Sequence, residues 1–245
     1  KSLNLILKIL KDNKNLKTPK SDISMPFEKN IVFKNVSFSY EKVDKLFENL
    51  NLTIKKNTLI GIAGGSGRGK TTLINLLAGF LIPNSGSINV DDSSIYKNVS
   101  SWQKNIGIVQ QEIYLLDDSV KKNVAFGLED SQIDNEKIKK VLEAVELKNF
   151  INNLPDKEET IVGERGQKIS AGQKQRIGIA RMLYADRKIL IFDESTNALD
   201  KKTEAEIIEF IQRLKKLCTI IIISHDHSNL KICDDIIYVE KLASK

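Results

Sequence analysis

The residues "GGSGRGKT", Gly64 to Thr71, fit the pattern G-x-x-x-x-G-K-[ST], with a strand expected before them and a helix after. Glycines let backbone N–H groups turn inward around phosphate oxygens with no Cβ in the way. Lys70 supplies a point charge towards β- and γ-phosphates, and Thr71 opens the helix with a hydroxyl to offer Mg²⁺. The helix N-terminus adds its own partial positive charge. The dinucleotide fingerprint G-x-G-x-x-G is not met, because Gly65 and Gly67 are followed by Lys70. The chemistry indicated is a nucleoside triphosphate site built from Gly64, Gly65, Ser66, Gly67, Arg68, Gly69, Lys70, Thr71 and Thr72.

A second stretch, "ILIFDES", puts Asp193 and Glu194 at the end of an apolar run that reads as a buried strand. Alone, an acidic pair there reads as a helix N-cap. Beside a phosphate-binding loop (P-loop), Asp193 reads as a Mg²⁺ ligand. Glu194, one step on, reads as the base that takes a proton from an attacking water.

A third stretch, "ISAGQ", has Ser170 and Gln173 at capping-box spacing ahead of an expected helix. Lys168, Lys174 and Arg176 crowd around it, and no acid, base or nucleophilic pair sits nearby. It is either a helix cap alone or half of a site whose other half lies elsewhere. Cys218 and Cys233 have neither metal spacing nor a disulfide framework and read as reduced thiols. His225 and His227 form an H-x-H pair without further ligands at evident spacing.

The elements that must position these residues follow from periodicity. "NVSFSY", with Val36, Phe38 and Tyr40 on one face, and "NLNLTI", with Leu50, Leu52 and Ile54, alternate as half-buried strands do. "GSINV" makes a third such strand. "TLIGIAG", "KILIFDE" and "TIIIIS" are apolar without alternation, which suits strands covered on both faces of a parallel sheet. Leu73, Leu76, Leu77 and Phe80 have helical spacing, as do Ile138, Val141, Leu142 and Val145, and Ile207, Phe210, Ile211 and Leu214. The order predicts an α/β fold with antiparallel strands first and a helical subdomain inserted over about residues 112–185.

Composition adds limits. With 41% hydrophobic and 29% charged residues, the chain reads as an ordinary globular protein. No apolar run approaches the roughly 20 residues that span a bilayer. The net charge is +6, but acids and bases are interleaved, whereas nucleic-acid binding shows a concentrated basic face; no nucleic-acid partner is expected. The basic bias at Lys1, Lys8, Lys11, Lys14, Lys17 and Lys20 fits either a solvated linker or a segment close to an anionic leaflet.

With the P-loop, "ISAGQKQR" and "ILIFDES" in this order, the chain resembles the ATP-hydrolysing domain of ATP-binding cassette (ABC) proteins over about residues 30–240. That resemblance implies a P-loop NTPase fold with a RecA-like mixed-sheet core, an N-terminal antiparallel β subdomain and the inserted helices. It also implies ATP and Mg²⁺ as ligands. Tyr40 stands at the place of the aromatic that stacks on adenine, with a core strand residue as the alternative. Gln111 in "VQQE" matches the Q-loop glutamine, a Mg²⁺ contact, and "NALD" matches the D-loop, ending at Asp200. His225 matches the H-loop histidine, with a satisfied core histidine as the alternative. "TIVGERG", Thr160 to Gly166, resembles the X-loop of exporters. "SLNLILKIL" resembles a linker after a transmembrane helix, so residues 1–29 are expected to lead in from a transmembrane domain and 30–245 to form the ATPase domain.

In this family two domains meet head to tail, which gives an isologous dimer. Ser170, Gly172 and Gln173 would then face the γ-phosphate bound by a second copy. Glu194, His225, Lys70 and Gln111 carry the catalytic roles, with Thr71, Gln111 and Asp193 on the metal. The transmembrane partner would dock through the Q-loop and X-loop, at the cytoplasmic face of a bacterial inner membrane.

Several residues depart from the family pattern without removing a group that the chemistry needs. Arg68 and Ala171 stand where smaller residues are usual, and Gln110 replaces a proline. Ser195, Asn197 and Asp226 also differ. An active ATPase is therefore expected, with helical φ at Ala171 and the close approach reserved for Gly172. The alternative function is a soluble cassette ATPase acting on ribosomes or DNA; its usual tandem cassettes or long inserted coiled coil are not seen. An unrelated P-loop kinase has no use for "ISAGQ", and an inactive binding module none for Glu194 and His225. The cargo is not written here, though bacterial flippases for lipid-linked oligosaccharides share the general similarity, beside lipid and peptide exporters.

Overall fold

The computed structural model describes residues 24–40, 45–110, 112–193, 201–224 and 230–242. Four strands, β1 (Asn30–Phe38), β2 (Phe47–Lys55), β4 (Ser85–Val90) and β5 (Ser93–Ser94), form an antiparallel sheet in the order β2-β1-β4-β5. Five more, β3 (Leu59–Ala63), β6 (Ile106–Val109), β7 (Ile189–Asp193), β8 (Thr219–Ile223) and β9 (Asp235–Tyr238), form a sheet ordered β6-β7-β8-β3-β9. Every pair in that sheet is parallel. Among the described residues, antiparallel pairing is thus confined to the first sheet and one isolated bridge between Ser119 and Ile161.

The unbroken apolar runs are explained by two cores. Leu59, Ala63, Leu190, Phe192, Ile220 and Ile222 join one core, while Ile60, Ile62, Ile189, Ile191, Ile221 and Ile223 join the other. Successive side chains of a strand point to opposite faces, so burial on both faces removes the alternation. The second core lies between the two sheets and takes in Ile31, Phe33, Val36 and Phe38 from β1.

Beside five short 3-10 turns, the described residues include seven α-helices: α1 (Lys70–Leu77), α2 (Val99–Gln103), α3 (Val120–Val124), α4 (Asn135–Ala144), α5 (Lys148–Asn152), α6 (Ala171–Tyr184) and α7 (Lys201–Leu214). Four of them, α3 to α6, fall between β6 and β7, where neither sheet has a strand. The apolar stripes expected on α4 and α7 are buried, with Ile138, Val141 and Leu142 on one and Ile207, Phe210, Ile211 and Leu214 on the other.

Two expectations from periodicity differ. Helix α1 stops at Leu77, and Phe80 is exposed. Gly79 takes a left-handed φ of +71°, the Gly79 N–H bonds the Leu76 carbonyl, and the Phe80 N–H bonds the Asn75 carbonyl. This is a Schellman stop, which turns the chain before Phe80 can join the stripe. Likewise β1 ends at Phe38, so Tyr40 lies beyond the strand and is exposed.

The segment ahead of β1 also packs onto the domain. Met25 and Phe27 are buried, and Phe27 meets the Trp102 ring edge-on at 6.4 Å. The Asp91 carboxylate accepts from the N–H groups of Glu28, Lys29 and Asn30. The linker helix expected in "SLNLILKIL" lies outside the described residues.

Candidate functional site

Strand register brings the P-loop and Asp193 to one edge. In the five-stranded sheet, Ile223 of β8 pairs with Ile62 of β3 on one side and with Asp193 of β7 on the other. Val109 of β6 pairs with Phe192, and Tyr238 of β9 pairs with Ala63. The chain therefore leaves all five strands at the same level. The P-loop follows β3, Asp193 ends β7, Ser224 follows β8 and Gln110 follows β6. Asp193 stands two strands from Ile62, about 10 Å at the usual strand spacing. Ligands of parallel α/β sheets bind outside the carboxyl ends of the strands.

The P-loop between β3 and α1 is shaped by its glycines. Gly67 and Gly69 take φ values of +73° and +100°, which L side chains rarely adopt. Gly69 is the N-cap of α1, and a Cβ there would stand 3.1 Å from the side chains of Leu46 and Phe47. Lys70 is almost fully buried, and its Nζ donates to the carbonyls of Gly64 at 2.8 Å and Gly65 at 3.0 Å. The ammonium thus lies inside the curl of its own loop, where such a charge could meet a phosphate. The Gly65 N–H donates to Glu240 Oε1 at 3.0 Å. Thr71 and Thr72 occupy the first turn of α1, and the Thr72 hydroxyl lies 3.0 Å from the Tyr40 hydroxyl. Tyr40 packs edge-on against Phe38 at 5.0 Å and stands 46% exposed beside the loop. A ring partly open to solvent and tethered at its tip has a face to offer a base.

The "ISAGQ" segment is a helix start. Ser170 is the N-cap of α6, its Oγ accepting from the Gln173 N–H at 3.3 Å, while the Gln173 side-chain carbonyl accepts from the Ser170 N–H at 3.0 Å. Ala171 is the first helical residue, and neither Ala171 nor Gly172 has positive φ. Gly172 is therefore a glycine whose backbone does not require one. Arg176, one turn on, donates to Glu146 at 2.9 Å and lies 4.4 Å over the Phe210 ring, fixing α6 to α7.

Burial pushes the Cys218 and Cys233 thiols up to about 12, with the Asp234 carboxylate adding to the second. Both remain protonated and are no nucleophiles at neutral pH. Gln111, Glu194, Asp200 and His225 lie outside the described residues, as do Ser195, Asn197, Asp226 and His227. Sequence reasoning passed over Glu240 as a neighbour of the P-loop. Only the parallel pairing of β3 with β9 places it there, and no local pattern announces that pairing.

Residues 47–197 match the ABC transporter family. The chain is 38% identical over 224 residues to the ATP-dependent lipid A-core flippase of Desulfotalea psychrophila, a match covering 91% of this chain and 39% of that protein. It is 39% identical over 222 residues to the leukotoxin translocation ATP-binding protein LktB of Mannheimia glucosida, covering 89% of this chain and 31% of that one. Among solved structures, a bacterial Atm1-family ABC exporter with ATP bound superposes with a TM-score of 0.76 at 30% identity, over 96% of this chain and 42% of its own. The chain thus spans about two fifths or less of each of these relatives. With the P-loop and Asp193 at one edge of the parallel sheet and the family match covering residues 47–197, the chain belongs to the ABC transporter family and carries its ATPase domain.

Proposed function

We propose that this domain is the ATP-hydrolysing motor of a membrane exporter or flippase and works as a head-to-tail homodimer. Each ATP lies between the P-loop of one copy and Ser170, Gly172 and Gln173 of the other. The observation that carries this reading is the register that brings the ends of β3, β7 and β8 to one level. Lys70 and the α1 N-terminus hold the β- and γ-phosphates, and Tyr40 stacks on the adenine. Glu194 accepts a proton from the attacking water, while His225 and the partner's capping segment orient and stabilise the γ-phosphate. Positioning and charge stabilisation do most of the work in phosphoryl transfer, so one copy alone hydrolyses slowly.

Mg²⁺ suits hard oxygen donors, and when bound it neutralises charge on the β- and γ-phosphates. Thr71 and Asp193 supply such donors, with Gln111 as a third. Among the described residues no cluster of three or more His, Cys, Asp or Glu forms a cage.

The transmembrane partner docks where the Q-loop exit meets the X-loop. Val120 N–H bonds the Thr160 carbonyl, Val162 N–H bonds the Asp118 carbonyl, and Ser119 bridges Ile161. Tyr114, Leu116 and Ile161 are exposed apolar side chains in these same segments, an area suited to covering by a partner. The domain then lies at the cytoplasmic face of a bacterial inner membrane, attached to the part that chooses a lipid-linked, lipid or peptide cargo.

Steady-state phosphate release tests the motor reading. Replacing the base in Glu194→Gln should slow release by about 10²–10⁴-fold. Parent rates no higher than those of Glu194→Gln would overturn it.

A further inference from the structure

Strand β9 runs parallel to β3 with Tyr238 opposite Ala63, so the chain beyond each strand continues side by side. Val239 is fully buried, and its Cβ lies 3.5 Å from where a Cβ on Gly64 would be. One residue further, Glu240 Oε1 accepts from the Gly65 N–H at 3.0 Å, across 175 residues of sequence.

That N–H belongs to the same peptide unit as the Gly64 carbonyl. A trans peptide is planar, with its N–H and C=O pointing in opposite directions. The Gly64 carbonyl is the one that accepts from Lys70 Nζ at 2.8 Å. Glu240 and Lys70 therefore hold the two ends of one rigid plate. Rotation of the plate about its flanking glycine torsions would move both contacts together, and glycines on both sides leave that rotation sterically cheap. A Cβ at position 65 would lie in ordinary contact with the Glu240 oxygen at 3.4 Å and with Arg68 Cγ at 3.5 Å.

We propose that Glu240 is a positioning residue for nucleotide binding: through the Gly64–Gly65 peptide it fixes the carbonyl that aims Lys70 into the P-loop. This rests on the P-loop being the ATP site. The role needs an acceptor oxygen and not a charge, because a carboxylate beside a phosphate site repels the ligand it helps to seat. Charge and acceptor can be separated by substitution. Glu240→Gln keeps a carbonyl oxygen at the same reach and drops the charge. Glu240→Ala removes both, and Glu240→Asp keeps the charge but withdraws the oxygen by one methylene.

The test is equilibrium binding of a fluorescent methylanthraniloyl-ATP to the 245-residue chain, with ATPase KM and kcat alongside and a thermal melt on every variant. Glu240→Ala and Glu240→Asp should weaken binding by about 3–10-fold, the effect of losing one net hydrogen bond. Glu240→Gln should recover parent affinity or exceed it. The loss should fall in KM, with kcat at saturating ATP changed by less than about twofold. Parent affinity in Glu240→Ala overturns the proposal, as does a Glu240→Gln defect equal to that of Glu240→Ala. If Glu240→Ala melts early, Glu240→Asp and Glu240→Gln still decide between acceptor and charge. No binding by the parent would instead overturn the assignment of the ATP site itself.

Discussion

A chain carrying Gly172→Leu binds ATP as the parent does, melts at the same temperature or higher, and releases phosphate at under about one hundredth of the parent rate. The three outcomes belong together. Gly172 is the second residue of α6 and has no positive φ, so leucine meets no backbone penalty there. Exchanging glycine for a better helix former gains up to about 1 kcal/mol in an exposed helix. In the proposed site, ATP binding by one copy would use the P-loop, the Lys70 ammonium and Tyr40, none of which lies on α6. What leucine removes is room above the helix N-terminus, where the proposed dimer would bring a partner's γ-phosphate close. Equilibrium nucleotide binding, a thermal melt and a phosphate-release assay on one preparation check all three. Undiminished hydrolysis would mean that this segment does not complete a partner's site.

Lys70→Ala has the other large effect, and on a different quantity. Its ammonium is almost fully buried and donates to two carbonyls of the loop. Deleting it leaves both acceptors without that donor and removes the charge that the proposed site turns on the phosphates. Hydrogen bonds from a charged donor contribute about 1.5–3 kcal/mol each, so ATP affinity should fall by roughly 10²-fold or more. Hydrolysis should become undetectable. Lys70→Arg should not restore it, because a planar guanidinium does not fit the space of a compact ammonium held by converging carbonyls. Titration with labelled ATP measures the loss directly. Affinity within a few fold of the parent would mean that the charge is not aimed at phosphate.

The residues that carry chemistry were legible because their spacing is local. Ser170 and Gln173 announced a capping box, and both of its hydrogen bonds are present. The buried runs around Ile60, Ile191 and Ile221 announced parallel strands, since burial on both faces leaves no alternation. What escaped depends on partners far along the chain. β6 and β9 are only four residues long, and β9 opens on Asp235, so neither reads as a strand until its neighbour is known. The helical spacing that drew in Phe80 was interrupted by the left-handed turn at Gly79, a backbone event that hydrophobic periodicity does not register. Glu240 could not be found at all without the pairing of Ala63 with Tyr238.

A site shared between two copies makes a demand that a self-contained site does not. Phosphate release per mole of protein, measured at saturating ATP over a wide range of protein concentration, should rise with concentration and level off as dimers form. Mixing in an excess of Lys70→Ala chains, which keep Ser170, Gly172 and Gln173 intact, should raise the rate at low parent concentration by supplying the missing half. Specific activity independent of concentration, and unmoved by those added chains, would contradict catalysis across the dimer.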